Sequence, residues 1–213
     1  MNLMIRPMIP NLSVLSNESL AAYIGLAILL TGTVFVAVLL SYYAADRFKG
    51  QKKETAFYFA VLALLGAVMM FCFFGLAATT VRGIIFFLIL ILSSYEDIKT
   101  RECDDYLHLM TVIAAFIGTA LTMIPGMFVS AMFAGGIMLL AVLITKSSIG
   151  GADIKMAAAC SFMLGFERGV IGLVIGTLLA VVVNLLKSKD RKKGFPMIPY
   201  LAVGYAIAYF IQV

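Results

Sequence analysis

The sequence predicts an all-α fold, a polytopic membrane helix bundle of about eight transmembrane helices, two of them short. The composition, the lengths of the apolar stretches and the distribution of basic residues each point to it. Of the 213 residues, 63% are hydrophobic and 13% charged, against roughly 45–50% and 25% in a soluble globular domain. A water-soluble fold of this size cannot bury so much apolar surface, so we expect one integral membrane domain over residues 1–213, in contact with the lipid bilayer.

The same composition excludes several other classes of protein. Disordered chains and disulfide-stapled secreted domains need fewer apolar residues or many more cysteines than the three present here. The formal net charge of +5 comes from basic residues that lie between apolar stretches. Such residues report membrane topology and contact with anionic headgroups, so no nucleic-acid partner is expected.

Six apolar stretches are long enough to cross a bilayer, because about 20 helical residues span the roughly 30 Å of hydrocarbon. They are residues 20–43, 56–78, 106–124, 127–145, 170–186 and 196–213. The first is not a cleavable signal peptide, since its polar lead carries only Arg6 and no small-residue cleavage site. Two shorter apolar segments, 83–95 and 154–166, bring the predicted number of helices to eight.

The basic residues support this number. With eight crossings and the N-terminus outside, thirteen of the sixteen Lys and Arg residues lie on the inner side, leaving Arg6, Arg82 and Arg168 outside. This is the asymmetry that cytoplasmic loops show. One unbroken helix over 154–186 would instead place the basic run 187–193 outside. The sequence therefore predicts a multi-pass protein of the cell membrane with both termini outside.

The two short helices place two acidic residues within the membrane. Asp97 follows Arg82 by 15 residues and Asp153 precedes Glu167 by 14. These separations correspond to about 22 and 21 Å of helix, less than the thickness of the hydrocarbon. We therefore expect both aspartates at a similar depth, close to the cytoplasmic face.

Ionisable groups at that depth are retained where they face a partner, water or the bundle interior. Two adjacent carboxylates cannot both ionise readily, so they share one proton, the arrangement with which aspartic peptidases activate water. Such a site needs no metal, and the single His108 excludes an HExxH zinc site. The structural alternative is that Asp97 and Asp153 cap helices or pair with Lys99 or Lys155; Asp153 stands where an N-cap is expected.

Two short motifs surround these aspartates. Residues 94–101 read S-Y-E-D-I-K-T-R, and residues 149–156 read I-G-G-A-D-I-K-M. They resemble the motifs D-x-K/R-x-R-x-I-P and G-x-G-D-x-K of the type IV prepilin peptidase family, which includes the archaeal preflagellin peptidases. The resemblance covers a peptidase core of about 84–186, and residues 196–201 with Gly204 resemble the family's last helix.

The resemblance implies a cofactor-free membrane aspartic endopeptidase with its active site facing the cytoplasm. Its substrate would be the short leader peptide of a pilin-like or pseudopilin precursor, and its catalytic residues would be Asp97 and Asp153. Residues that would shape the site or bind substrate are Lys99, Arg101, Gly150, Gly151, Ala152 and Lys155.

The chain departs from the family pattern at three places. Ala152 replaces the second glycine of G-x-G-D, and residues 102–105, E-C-D-D, stand where I-P is usual. No cysteine-rich cytoplasmic insert is present, so N-methylation of the product is not expected. The smaller, single-activity branch of the family is the better match.

Other interpretations stay open at this level. A proton- or cation-coupled transporter could use the same two aspartates, and an inactive relative could serve as a scaffold. A serine–histidine pair of Ser147 or Ser148 with His108 lacks a supporting G-x-S-x-G turn. We expect Glu96, Asp104 and Asp105 to lie in a solvated loop, and, since neighbouring helical positions differ by about 100°, only one of Glu96 and Asp97 can face the site.

Overall fold

The computed structural model describes residues 6–7, 20–145, 150–186 and 195–212. Within these residues the chain forms eight α-helices, as predicted. They are α1 (Leu20–Arg47), α2 (Lys52–Phe74), α3 (Ala78–Thr100), α4 (Asp105–Ala115), α5 (Ile124–Thr145), α6 (Gly151–Leu164), α7 (Phe166–Leu186) and α8 (Ile198–Tyr209). A single 3-10 turn, Leu121–Met123, precedes α5, and two short strands, β1 (Arg6–Pro7) and β2 (Ile211–Gln212), pair antiparallel.

Five of these helices, α1, α2, α3, α5 with its preceding turn, and α7, are long and apolar enough to cross a membrane. The chain is therefore a multi-pass, all-α membrane bundle. Of the 18-residue apolar stretch of each helix, 50% is buried inside the protein in α3, whereas 17% is buried in α1 and 22% in α5. Helix α3 is thus the most enclosed of the long helices, and the outer helices turn much of their apolar surface towards lipid.

Helix α8 connects the helices that carry the two predicted aspartates. It packs against α3, α6 and α7. The hydroxyl of Tyr205, a fully buried residue, donates to the carbonyl of Ala157 in α6 over 3.0 Å and lies 2.8 Å from the hydroxyl of Ser161. Helix α4 also contacts both α3 and α6. The two aspartate-bearing helices therefore share two neighbours.

Glycines allow α7 and α8 to approach closely. A Cβ atom at Gly204 would clash with the backbone of Gly172 and would lie 2.6 Å from the Cα of Gly176. Gly172 and Gly176 have the four-residue spacing that puts small residues on one helix face and lets helix backbones meet.

The two ends of the bundle can be told apart by their side chains. We call one the aspartate end, where the C-terminal turns of α1 and α3 meet the first turns of α4, α6 and α8. At the opposite end, Arg82 donates to the hydroxyl of Thr119 over 2.7 Å, and the Tyr209 hydroxyl donates to the carbonyl of Thr79 over 2.8 Å. Strand β2 follows α8 there and pairs with β1. Both described terminal segments therefore lie at the same end of the bundle.

Several predicted helix limits were wrong. The stretch 106–124 is not one helix: α4 ends at Ala115, and Gly118 turns the chain with φ +67°, a conformation that favours glycine. Helix α6 ends at Leu164, where Gly165, with φ +80°, separates it from α7. The path from Asp153 to Glu167 is therefore broken, whereas Arg82 and Asp97 do lie on one continuous helix.

Candidate active site

Asp97 lies in the last turns of α3 and is 5% exposed. Its Oδ2 atom accepts a hydrogen bond of 2.9 Å from the backbone N–H of Ile198, the first residue of α8. A helix start has N–H groups without partners in the helix, so a carboxylate there acts as a cap and is favoured by the helix dipole. Asp97 therefore joins the end of α3 to the start of α8.

Asp153 lies in the first turn of α6 and is 8% exposed. The residue at the N-cap position is Gly150, and Asp153 occupies the third helical position, so the expectation that Asp153 itself is the N-cap was wrong. Its Oδ2 atom accepts a hydrogen bond of 3.1 Å from the Gly150 N–H. This is the return half of a capping box, and it holds the carboxylate against its own helix start.

The two aspartates face a common interior at the aspartate end. The charge of Asp97 is close enough to act on Asp153. Among the described residues, no hydrogen bond joins the two carboxyl groups directly, because Asp97 binds α8 and Asp153 binds the start of α6. The structural alternative named capping or pairing with Lys99 or Lys155: both carboxylates do accept hydrogen bonds at helix starts, whereas neither pairs with either lysine in the described structure.

Cys103, in the connection between α3 and α4, marks the centre of this acidic region. The residue is buried, and burial together with four surrounding carboxylates raises the pKa of its thiol. The four carboxylates belong to Glu96, Asp97, Asp104 and Asp153. The sequence did not indicate that Cys103 lies near the two aspartates.

Glu96 was wrongly expected in a solvated loop. It is 1% exposed, and its carboxylate accepts hydrogen bonds from the Tyr106 hydroxyl, over 3.0 Å, and from the backbone N–H of Asp104, over 3.3 Å. Adjacent positions on α3 point in different directions, as predicted, so Glu96 faces the α3–α4 connection while Asp97 faces α8. A signal was available, since Glu96 follows the buried Ile89 and Ser93 at helical spacing.

A salt bridge from α1 also anchors the α3–α4 connection. Arg47 contacts the carboxylate of Asp104 over 2.6 Å and also donates to the hydroxyl of Tyr43. Residues 102–105, where the family motif has I-P, are thus fixed by polar contacts from α1, α3 and α4. The expectation that Asp104 is solvated is wrong in part, because its side chain is half-exposed and paired.

The predicted basic residues lie around the site. Lys155 forms a salt bridge of 2.7 Å with the exposed Asp105 and so ties the start of α6 to the start of α4. The ammonium of Lys99 lies 5.5 Å from the centre of the Tyr95 ring. Arg101 ends α3 in the left-handed region, with φ +62°, and its charge acts on Asp97. These three side chains place positive charge around the buried carboxyl groups of Asp97 and Asp153.

Gly150, Gly151 and Ala152 form the entry to α6. None has a positive φ; Gly151 and Ala152 are helical, and Ala152 packs against the core. A Cβ atom at Gly151 would meet nothing within 4 Å. Alanine in place of the motif's second glycine therefore fits the backbone here.

His108 is buried in α4, and among the described residues neither of its ring nitrogens has a hydrogen-bond partner. Ser147 and Ser148, the residues weighed as its partners, lie outside the described residues. In the described part of the chain, no three His, Cys, Asp or Glu side chains are grouped as metal ligands. The grouping at the aspartate end is instead one of hydrogen-bonded carboxylates, which can hold and transfer protons.

Residues 84–185, from the first turns of α3 to the end of α7, match the model of the type IV leader peptidase family. This confirms the family suggested by the two aspartate motifs. No curated protein and no solved structure matches the chain.

Proposed function

Residues 84–185 match the type IV leader peptidase family, and from this premise we propose that the protein is an aspartic endopeptidase. The observation that carries the proposal is the burial of Asp97 and Asp153 at one end of the bundle, where α4 and α8 pack against both of the helices that carry them. Both residues lie within the matched segment, at the positions where the family motifs have their aspartates.

The proposed reaction uses the two carboxyl groups in different protonation states. The ionised aspartate takes a proton from a water molecule, whose oxygen attacks the scissile carbonyl carbon. The protonated aspartate donates a hydrogen bond to the carbonyl oxygen. The carbon–nitrogen bond then breaks, and the leaving amine receives a proton from the pair. Neutralising one carboxyl group also lowers the repulsion that two adjacent negative charges would suffer in a low-dielectric interior.

The proposed substrate is the short leader of a pilin-like or pseudopilin precursor, cut on the cytoplasmic side just before an apolar helix. Basic side chains support this orientation: Arg47, Lys99, Arg101 and Lys155 lie at the aspartate end, whereas Arg82 lies at the opposite end. Loops rich in Lys and Arg face the cytoplasm. The basic run 187–193 is known here from its sequence and lies outside the described residues.

The experiment is cleavage of a pilin-like precursor in membranes that contain the protein or its variants. Asp97→Asn and Asp153→Asn remove the acid at nearly constant volume, and each should reduce the cleavage rate by about 10³-fold or more. The matched control is Asp46→Asn, because Asp46 is exposed and pairs only with Lys52 at the surface, over 2.6 Å. Its cleavage rate should stay within about twofold of the unaltered protein.

Full processing by the Asp153→Asn variant would rule out the two-aspartate mechanism. Proton-driven flux in liposomes that disappears with Asp97→Asn, without precursor cleavage by the unaltered protein, would instead favour the transporter alternative. Normal assembly of a secretion apparatus with both aspartates substituted would indicate a scaffold.

A further inference from the structure

A groove with a cavity of about 680 Å³ runs between α2, α3 and α8. We call it the α2–α3–α8 groove. Most of its wall is apolar, and exposed residues from α2 and α8 form its rim. The apolar residues that line it include Leu62, Leu65 and Met69 of α2, Phe87 and Ile91 of α3, and Val203 of α8. The geometry points to a docking site for the apolar transmembrane helix of the precursor, an inference that rests on the proposed peptidase function.

The groove has one polar end. Gln51, Glu54 and Thr55 line it at the start of α2, opposite Tyr95 and Lys99 at the end of α3. Towards the other end the wall is made of leucine, methionine and phenylalanine side chains. A guest that fits this surface is therefore apolar along most of its length and polar at the end nearest the two aspartates.

The length of the groove favours a transmembrane helix over a lipid. From Gln51 to Met69 the wall follows about 18 residues of α2, or roughly 27 Å. This is close to the full hydrocarbon thickness of about 30 Å, whereas one lipid chain covers a single leaflet, about 15 Å. A polypeptide in that position must satisfy its own backbone hydrogen bonds, so the guest is a helix.

The polar end adjoins the candidate active site. Tyr95 and Ile98 line the groove on α3 and flank Asp97 in sequence. Pro199 lines it on α8, directly after Ile198, whose N–H binds Asp97. A helix seated in the groove therefore brings the residues that precede it to Asp97, which is where a leader joins the apolar helix of such a precursor.

The mouth of the groove carries one charge of each sign, Glu54 on α2 and Lys99 on α3. Glu54 is exposed and has no ion pair among the described residues, since the nearby Lys52 pairs with Asp46. The ammonium of Lys99 lies over the Tyr95 ring. The Glu54 carboxylate can thus face a basic residue of the leader, and the positive-inside rule places such residues at this end of the substrate helix.

Photo-crosslinking tests the location without requiring cleavage. Benzoylphenylalanine is introduced at Leu65, in the groove, or at Val181, an exposed residue of α7 outside it. Both are placed in the Asp97→Asn variant, which leaves the precursor uncut. The inference expects a crosslink to the precursor from position 65 and none from position 181. Equal crosslinks from both positions, or a crosslink from position 65 to lipid only, would overturn it.

A kinetic experiment compares two substrates in the catalytically intact protein. Leu62→Trp and Val203→Trp narrow the groove, with Val181→Trp as the control. The groove variants should raise KM for the full precursor about tenfold, the effect of losing one good hydrophobic contact. They should leave cleavage of a short soluble peptide across the leader junction within about twofold. Equal loss on both substrates, or no loss on either, would overturn the docking site.

The two failures are distinguishable. If the unaltered protein cuts neither substrate, the proposed function fails, whatever the crosslinks show. If it cuts the precursor while position 65 gives no crosslink and the groove variants behave like Val181→Trp, only the docking site fails.

Discussion

The carboxylate of Asp97 at the end of α3 accepts a hydrogen bond of 2.9 Å from the backbone N–H of Ile198 at the start of α8, 101 residues further along the chain. One side chain thus combines a structural role, as the cap of a helix that is distant in sequence, with a proposed chemical role. Variants at this position can separate the two roles, because an amide oxygen can still accept the hydrogen bond but cannot act as an acid or base.

Asp97→Ala should destabilise the protein, whereas Asp97→Asn should not. Loss of the cap at α8 leaves a buried N–H without its partner, and we expect a loss of about 1–2 kcal/mol in the free energy of unfolding. Asparagine retains an acceptor, so its loss should be below about 0.5 kcal/mol. Thermal unfolding in detergent measures both. Equal stability of the two variants would contradict the capping role.

Gly204→Ala should separate α7 from α8. Its methyl group would clash with backbone atoms of Gly172 and Gly176, which cannot rotate away as a side chain can. We expect a loss of about 1–3 kcal/mol in the free energy of unfolding. The matched control is Gly136→Ala in α5, where a Cβ atom would meet nothing within 4 Å; helix propensity should there stabilise by up to about 1 kcal/mol.

The same packing contact should influence the site, because α8 carries Ile198 to Asp97. Cleavage of the precursor by Gly204→Ala should therefore fall along with stability, while Gly136→Ala keeps its activity. An active and fully stable Gly204→Ala protein would show that the close approach of α7 and α8 is not needed.

Release of the α3–α4 connection should expose Cys103. At pH 8 we expect slow alkylation of this thiol in the unaltered protein, because burial and the neighbouring carboxylates raise its pKa and reduce the thiolate fraction. Glu96→Ala removes the acceptor for Tyr106 and for the Asp104 N–H. We expect a loss of about 1.4 kcal/mol of hydrogen bonding, which raises the equilibrium constant for local opening of the α3–α4 connection about tenfold. The alkylation rate of Cys103 should rise by the same factor.

Peptide mass spectrometry after timed alkylation resolves each cysteine. Tyr106→Phe removes one of the two hydrogen bonds and should give a smaller increase than Glu96→Ala. Cys160 is fully buried in α6 and serves as the internal control. If its alkylation accelerates together with that of Cys103, the variant has unfolded more widely, and the local account of Glu96 fails.

Ala152→Gly should reduce stability although it restores the family's second glycine. Position 152 is helical and has no positive φ, so glycine offers no conformational advantage and costs up to about 1 kcal/mol in helix propensity. Gly151→Ala is the reciprocal variant, since a methyl group there meets no neighbour within 4 Å; thermal unfolding should move in the opposite direction. A more stable Ala152→Gly protein would show that the helix start requires glycine after all.

Much of the fold followed from properties that are local in sequence. The length of an apolar stretch decides whether it can span a bilayer, and charged residues between stretches limit how they are joined. Eight helices could therefore be predicted, whereas the end of α4 at Ala115 could not. The apolar residues after Ala115 give the same hydropathy signal as a helix, although a turn at Gly118 and a 3-10 turn replace it.

The candidate site divides in the same way. The motifs around Asp97 and Asp153 were visible in the sequence and led to the family. The burial of Glu96 was missed, because the charged residues around it are typical of an exposed loop, although its helical spacing from Ile89 and Ser93 indicated a buried position. Helix α3 is enclosed by neighbours on several sides, so two adjacent acidic residues both find buried partners while pointing in different directions.

By itself, the sequence determined which segments are apolar enough to span a membrane, which two aspartates carry the motifs and which peptidase family the chain resembles. Only the tertiary structure decided that Asp97 caps α8, that Glu96 holds the α3–α4 connection and that a groove runs between α2, α3 and α8. The reason is physical: hydropathy and motif spacing act over neighbouring residues, whereas a hydrogen bond between residues 97 and 198 depends on how close two helices can pack. The position of α8 depends in turn on its close contact with α7, which Gly172, Gly176 and Gly204 allow.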